Sequence, residues 1–137
     1  IAGLTLGNEG TIRDWLRHAK FNVTQGKNWE SSGSMGPWLV TLDEFGDFED
    51  LRLQTHVNGQ LRQDDTVASM AFSIEFQIEY LSTFITLEPG DVIYTGTPTG
   101  AGARLEPPQW LAPGDVVQVS VDEIGTLENT IEDEGPS

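Results

Sequence analysis

Residues 51–63 read LRLQTHVNGQLRQ, and this stretch decides what kind of fold the chain builds. Apolar and polar residues alternate on both sides of Asn58-Gly59. A period of two places every second side chain on the same face of a strand. Asn-Gly suits a two-residue type I′ turn, because both central positions of that turn need positive φ. The stretch therefore predicts a β-hairpin.

Outward from the hairpin, strands dominate. Upstream, PWLVT (37–41) reads as a strand, and LDEFGDFED (42–50) as a polar turn region. Residues 22–36, NVTQGKNWESSGSMG, form a polar loop rich in Gly and Ser. Residues 1–6 read as a strand. Thr11 and Asp14 have the spacing of a capping box, which predicts a short helix from Ile12 to Lys20. Downstream, Met70, Ile74, Ile78, Leu81 and Ile85 recur at helical spacing, predicting a long helix over Val67–Thr86. Phe72, Phe76, Tyr80 and Phe84 form a second stripe, so the helix is expected to be covered on two sides. LEPGDVI (87–93) and LAPGDVV (111–117) share one form. Pro-Gly fits the centre of a type II turn, and each should launch a strand. VVQVSVDEIGTLENTIED (116–133) reads as two strands joined near Gly125. No linker divides the chain, and residues 1–137 are expected to form one α+β, β-rich domain.

Composition narrows the function. The chain has 137 residues, 22 acids against seven bases and a net charge of −15. Such a surface repels nucleic acid and anionic membranes. No apolar run is long enough to span a bilayer, and no signal peptide pattern is present. Cys is absent, which excludes disulfides and thiol chemistry. The expected compartment is the cytoplasm. The positive charge is uneven: Arg13, Arg17, Lys20 and Lys27 lie in residues 1–27, and residues 105–137 hold no base. An anionic ligand near the start of the chain fits this bias, and so does a basic helix face beside acidic neighbours.

The candidate chemistry lies in loops. YTGTPTGAGA (94–103) offers backbone amides and hydroxyls that can cradle a carboxylate or phosphate, or it is a plain glycine-rich turn. It lacks the lysine of a phosphate loop and the spacing of a dinucleotide motif. Lys27, in TQGKNW, is either solvated or catalytic. Glu9, in GNEGTIRDW (7–15), is a turn residue or a ligand. His18 and His56 read as structural or surface residues and support no Ser-His-Asp triad.

Taken in order, GNEGTIRDW, GKNW, GPWLVT, LRLQTHVNGQLRQ, SMAFSIEFQIEYLS, LEPGDVIYTGTPTGAG and LAPGDVVQVSVDEIGTLENTI closely resemble the C-terminal region of the fumarylacetoacetate hydrolase family. The nearest likeness is to bacterial members acting on catechol meta-cleavage products. The resemblance implies a mixed β-roll and a divalent metal, Mg²⁺ or Mn²⁺. Glu9 falls on the family's acidic metal-ligand position, which is commonly Asp. The extra methylene moves the carboxylate by about 1.5 Å. By the same resemblance, Lys27 and Arg13 match catalytic positions, and Thr97 and Gly96, with Lys27, match substrate-binding ones. For Arg13, a plain ion pair with Glu9 or Asp14 stays open.

The family's Glu-x-Glu ligand pair and His-Glu dyad have no match here and are expected upstream of Ile1. The chain opens on IAGLTLG without Met, as if its N-terminal part were missing. The implied activity is that of an isomerase, decarboxylase or C–C hydrolase acting on a 2-oxo or 2-hydroxy-dienoic acid through a metal-stabilised enolate. A 2-hydroxyhepta-2,4-diene-1,7-dioate-type compound is the favoured substrate. The alternatives are a sugar-acid dehydratase and a binding domain that has lost its metal. A homodimer is expected, from the two apolar stripes and from the habit of the family.

Overall fold

The computed structural model describes residues 1–18 and 23–134. Residues 19–22, with Lys20, lie outside them, as do the side chains of Arg17 and His18. The elements are β1 (Gly3–Glu9), α1 (Thr24–Lys27), β2 (Gly33–Thr41), β3 (Arg52–Val57), β4 (Gln60–Thr66), α2 (Ile74–Ser82), β5 (Val116–Val121) and β6 (Gly125–Thr130). Short 3₁₀ turns fill Arg13–His18, Leu42–Glu44, Phe48–Asp50, Val67–Ser69 and Gly102–Arg104. The architecture is α+β and sheet-rich.

β1 and β2 form an antiparallel ribbon, and a four-stranded antiparallel sheet has the order β4-β3-β5-β6. The hairpin forms as its sequence dictates. Val57 pairs with Gln60, leaving Asn58 and Gly59 as the turn, with φ of 51° and 75°. A bulge follows: Thr55 pairs with Gln63 and His56 with Leu61, so Arg62 is the extra residue.

β5 supplies the clearest alternation. Val117, Val119 and Val121 are buried, and Gln118 and Ser120 are half-buried. Val119 and Val121 meet the ribbon through a core shared with Leu6, Val40, Leu51, Ile124 and Leu127. Leu4, Phe45, Phe48, Leu53 and Val67 close its rim. Apolar burial of this kind contributes about 25 cal/mol per Å², and here it joins the ribbon to the sheet.

Both Pro-Gly turns have the expected chemistry. Gly90 and Gly114 have φ of 104° and 92°, which suits the third position of a type II turn. Only the second runs into a strand. Residues 91–97 form no ladder among the described residues, because turn chemistry sets a direction and a strand also needs a neighbour.

Two helix expectations change. Over residues 12–20, the described part is the 3₁₀ turn Arg13–His18. The long helix shortens to Ile74–Ser82. The Ser69 hydroxyl donates to Asp65 Oδ1 (2.5 Å), with the Thr66 carbonyl 2.9 Å from the same hydroxyl oxygen as a shared acceptor. Those bonds fix a tight turn that competes with helix. Ser73 then caps α2 by accepting from the Phe76 amide. Only one stripe of α2 is covered: Ile74 is buried and Leu81 half-buried. The aromatic stripe stays exposed, with Phe72 stacked on Phe76 and Phe76 on Tyr80 at ring separations of 5.1 and 6.3 Å.

Candidate functional site

The site is built where β1 ends. Gly10 donates to the Ser32 carbonyl at 2.7 Å. A Cβ on Gly10 would stand 2.5 Å from that oxygen, so only glycine lets the two backbones approach. Asn8 Nδ2 donates to Asn129 Oδ1 (2.9 Å), and the Ser34 hydroxyl donates to the same oxygen (2.7 Å). One β6 side chain thus holds both strands of the ribbon beside Glu9.

Lys27 arrives from α1. Ile12 donates to the Gly26 carbonyl at 2.8 Å. Gly26 is buried, and a Cβ there would stand 2.4 Å from Leu16 Cδ2. The missing side chain lets α1 dock against the 3₁₀ turn. Trp15 and Trp29 meet edge to face at 4.9 Å and brace the same junction. The next residue, Lys27, then forms an ion pair with Glu9, its Nζ donating to Oε2. The two side chains are 30% and 37% exposed, so the pair is open to a ligand. Glu9 therefore holds Lys27 and is more than a turn residue.

Gly96 and Thr97 lie on a separate loop that spans the ribbon and the sheet. Tyr94 lies on Gly7, where a Cβ would stand 2.4 Å from its ring. Its hydroxyl reaches the Ser34 carbonyl at 3.3 Å. Three residues on, Thr97 Oγ1 accepts from Gln63 Nε2 of β4 at 2.8 Å. Gly96 has φ of 120°, and nothing lies within 4 Å of where its Cβ would be. Arg13 opens the 3₁₀ turn and is exposed. Among the described residues, Glu9 pairs with Lys27, not with Arg13.

The structure thus brings Glu9 and Lys27 into contact. Thr97 is held apart from them by Gln63 of β4, and Tyr94 of the same loop touches β1 two residues before Glu9. An open groove of 530 Å³ runs elsewhere, between α2 and residues 93–95, and Phe72, Phe76, Tyr80 and Tyr94 help to line it. Gln63 and Asn129 were not singled out by their sequence. Gln63 lies inside the hairpin motif, where alternation explains it fully. Asn129 is one polar residue among several on an edge strand.

The family model for the fumarylacetoacetate hydrolase C-terminal region matches residues 1–132. The chain belongs to the fumarylacetoacetate hydrolase family. It is 43% identical over 132 residues to the oxaloacetate tautomerase YisK of Bacillus subtilis, covering 96% of this chain and 43% of that protein. Among solved structures it is similar to a fumarylacetoacetate hydrolase of Exiguobacterium antarcticum, with a TM-score of 0.91 and 37% identity, over 96% of this chain and 47% of that one. A 5-carboxymethyl-2-hydroxymuconate delta-isomerase of Mycobacterium smegmatis matches with a TM-score of 0.86 and 38% identity, over 99% of this chain and 50% of that one. The chain spans about half the length of these relatives.

Fumarylacetoacetate hydrolase-family enzymes generally depend on divalent metals. The donor set here fits at most one ligand position: Glu9 is an accessible carboxylate, and one of its oxygens already accepts from Lys27. A hard cation such as Mg²⁺ wants near-octahedral oxygen coordination. Among the described residues, no three His, Cys, Asp or Glu side chains converge, so these residues alone do not make a complete site for such an ion. No helix among the described residues is long and apolar enough to cross a membrane.

Proposed function

We propose that this chain provides the Glu9–Lys27 wall of a cytoplasmic enzyme site that moves a proton beside the carbonyl of a 2-oxo acid. The observation that carries the reading is the accessible Lys27–Glu9 pair at the end of β1. The relatives support it: one is a tautomerase and one a delta-isomerase. Both reaction types relocate a hydrogen and a double bond through an enol or enolate.

Glu9 would hold Mg²⁺ or Mn²⁺ together with ligands from outside the described residues. When bound, the cation supplies Lewis-acid polarisation of the substrate carbonyl. The chain's own residues do the rest. The Lys27 ammonium stabilises negative charge as it develops on the substrate oxygen, because a fixed cation needs no reorganisation at that moment. The Thr97 hydroxyl and the Gly96 backbone hold the substrate carboxylate. Exposed Arg13 draws the anion toward a surface that is otherwise strongly acidic. Decarboxylation and C–C hydrolysis pass through the same enolate, so product analysis separates them from isomerisation.

The test uses the whole purified polypeptide with Mn²⁺ and oxaloacetate, following loss of the enol absorbance. Lys27→Met should lower kcat by about 10²–10³-fold while circular dichroism stays unchanged. Glu9→Gln should weaken Mn²⁺ binding in calorimetry. A Glu9→Gln protein with wild-type Mn²⁺ affinity would rule out the ligand role.

A further inference from the structure

We propose that Gln63 is a positioning residue that fixes the Thr97 hydroxyl as a hydrogen-bond donor toward an anionic ligand. This rests on the reading of Thr97 as a carboxylate contact. Gln63 Nε2 lies 2.7 Å from the Pro98 carbonyl and 2.8 Å from Thr97 Oγ1. A carbonyl only accepts, so the group facing Pro98 is the amide nitrogen and not the amide oxygen. Its two hydrogens then serve the two contacts. Thr97 Oγ1 is an acceptor from Gln63, and its own single hydrogen is left for a third partner. A hydroxyl that already accepts a hydrogen bond donates more strongly.

Two devices in the fold put Gln63 in this place. The first is the bulge, which pairs Thr55 with Gln63 and leaves Arg62 as the extra residue. A slip of one residue sends a side chain to the opposite face, so without the bulge Gln63 would point away from the loop. The second is Gly100. A Cβ there would stand 1.9 Å from the Arg62 carbonyl oxygen, and its φ is 109°. Only glycine lets the loop lie directly on β4 at the bulge. The contact is thus part of how the loop docks.

The test uses the whole polypeptide and oxalate, a small dicarboxylate, as probe. Gln63→Ala should weaken oxalate binding by about tenfold, the loss of one oriented donor to a charged group. Gln63→Glu should weaken it further, because its carboxylate takes the Thr97 hydrogen for itself and repels the anion. In a Thr97→Val background, Gln63→Ala should cost clearly less than it does in wild type, since most of its effect passes through Thr97. Oxalate binding by Gln63→Ala equal to wild type, or additive losses in the double variant, would overturn the proposal. Amide hydrogen exchange of residues 96–100 gives a second readout, and Gln63→Ala should speed it. Unchanged exchange also overturns the proposal. If wild type binds no oxalate while Gln63→Ala still speeds exchange, the reading of Thr97 fails, and the hold of Gln63 on the loop stands.

Discussion

Asn58 sits in the left-handed region with φ of 51°, and its side chain reaches the second Pro-Gly turn. Its Nδ2 donates to Asp115 Oδ1 at 2.8 Å, and its Oδ1 accepts from the Val116 amide at 2.9 Å. Asp115 also accepts from the Ala112 amide at 2.8 Å. The Asn58 amide first, and the Ala112 amide second, hold the Asp115 carboxyl below its ordinary value. The Asp64 carboxyl is lowered chiefly by its Arg52 partner, and that of Asp65 by the Ser69 hydroxyl. A carboxyl depressed in the folded state contributes stability above its unfolded pKa, about 3.9. That stability is lost as pH falls through the lower folded value. The melting temperature should therefore fall on acidification below about pH 4. Asn58→Gly keeps the positive φ and removes the amide, so the Asp115 midpoint should rise in a carboxyl NMR titration. An unmoved midpoint would contradict this account. The turn itself was legible in the sequence, since Asn-Gly is a local signal. Its bond to Asp115 was not, because the partner lies 57 positions away.

At the level of elements, the two Pro-Gly-Asp turns show how far sequence carries. Asp91 Oδ2 accepts from the Glu88 amide at 2.8 Å, as Asp115 Oδ2 does from the Ala112 amide at the same distance. The turns match, and only one launches a strand, because pairing is decided by distant chain. The hairpin, β5 and β6 were read correctly from alternation. The shortening of α2 was hidden, since Ser69 and Ser73 looked like ordinary helix surface until their partners were in place. Asn129 gives a prediction at this scale. Asn129→Ala leaves the Asn8 amide and the Ser34 hydroxyl part-buried without their shared acceptor, so stability should drop by about 1–3 kcal/mol. Asn129→Asp keeps an acceptor oxygen and should lose less. Urea unfolding checks both, and an Asn129→Ala curve that overlays wild type would show that β6 does not anchor the ribbon.

For the whole molecule, charge and apolar surface pull in opposite directions. A net charge of −15 keeps copies apart. The stripe of Phe72, Phe76, Tyr80 and Phe84 carries no charge, and these residues are 60%, 47%, 60% and 63% exposed. An apolar ridge of this kind on an acidic protein is expected to pair two copies, with an affinity that rises as salt screens the repulsion. Sedimentation at micromolar concentration should show a dimer, and Tyr80→Asp should dissociate it. A strict monomer at high salt would rule the pairing out. A dimer that survives Tyr80→Asp would place the interface on another face. The order of motifs along the chain pointed to Glu9 and Lys27, which the structure brings into contact, and to Thr97, which it holds on another loop. The direct Glu9–Lys27 pair was not, because it depends on Gly26 letting α1 dock.

The bond between Asn8 and Asn129 joins residues 121 positions apart, and that separation is also an interval of time. A ribosome adds roughly 5–20 residues per second, so Asn8 is made on the order of ten seconds before its partner exists. Throughout that interval the strand bearing Glu9 has no β6 to rest against. Glu9 is therefore made well before the strand that holds its neighbour Asn8 in place.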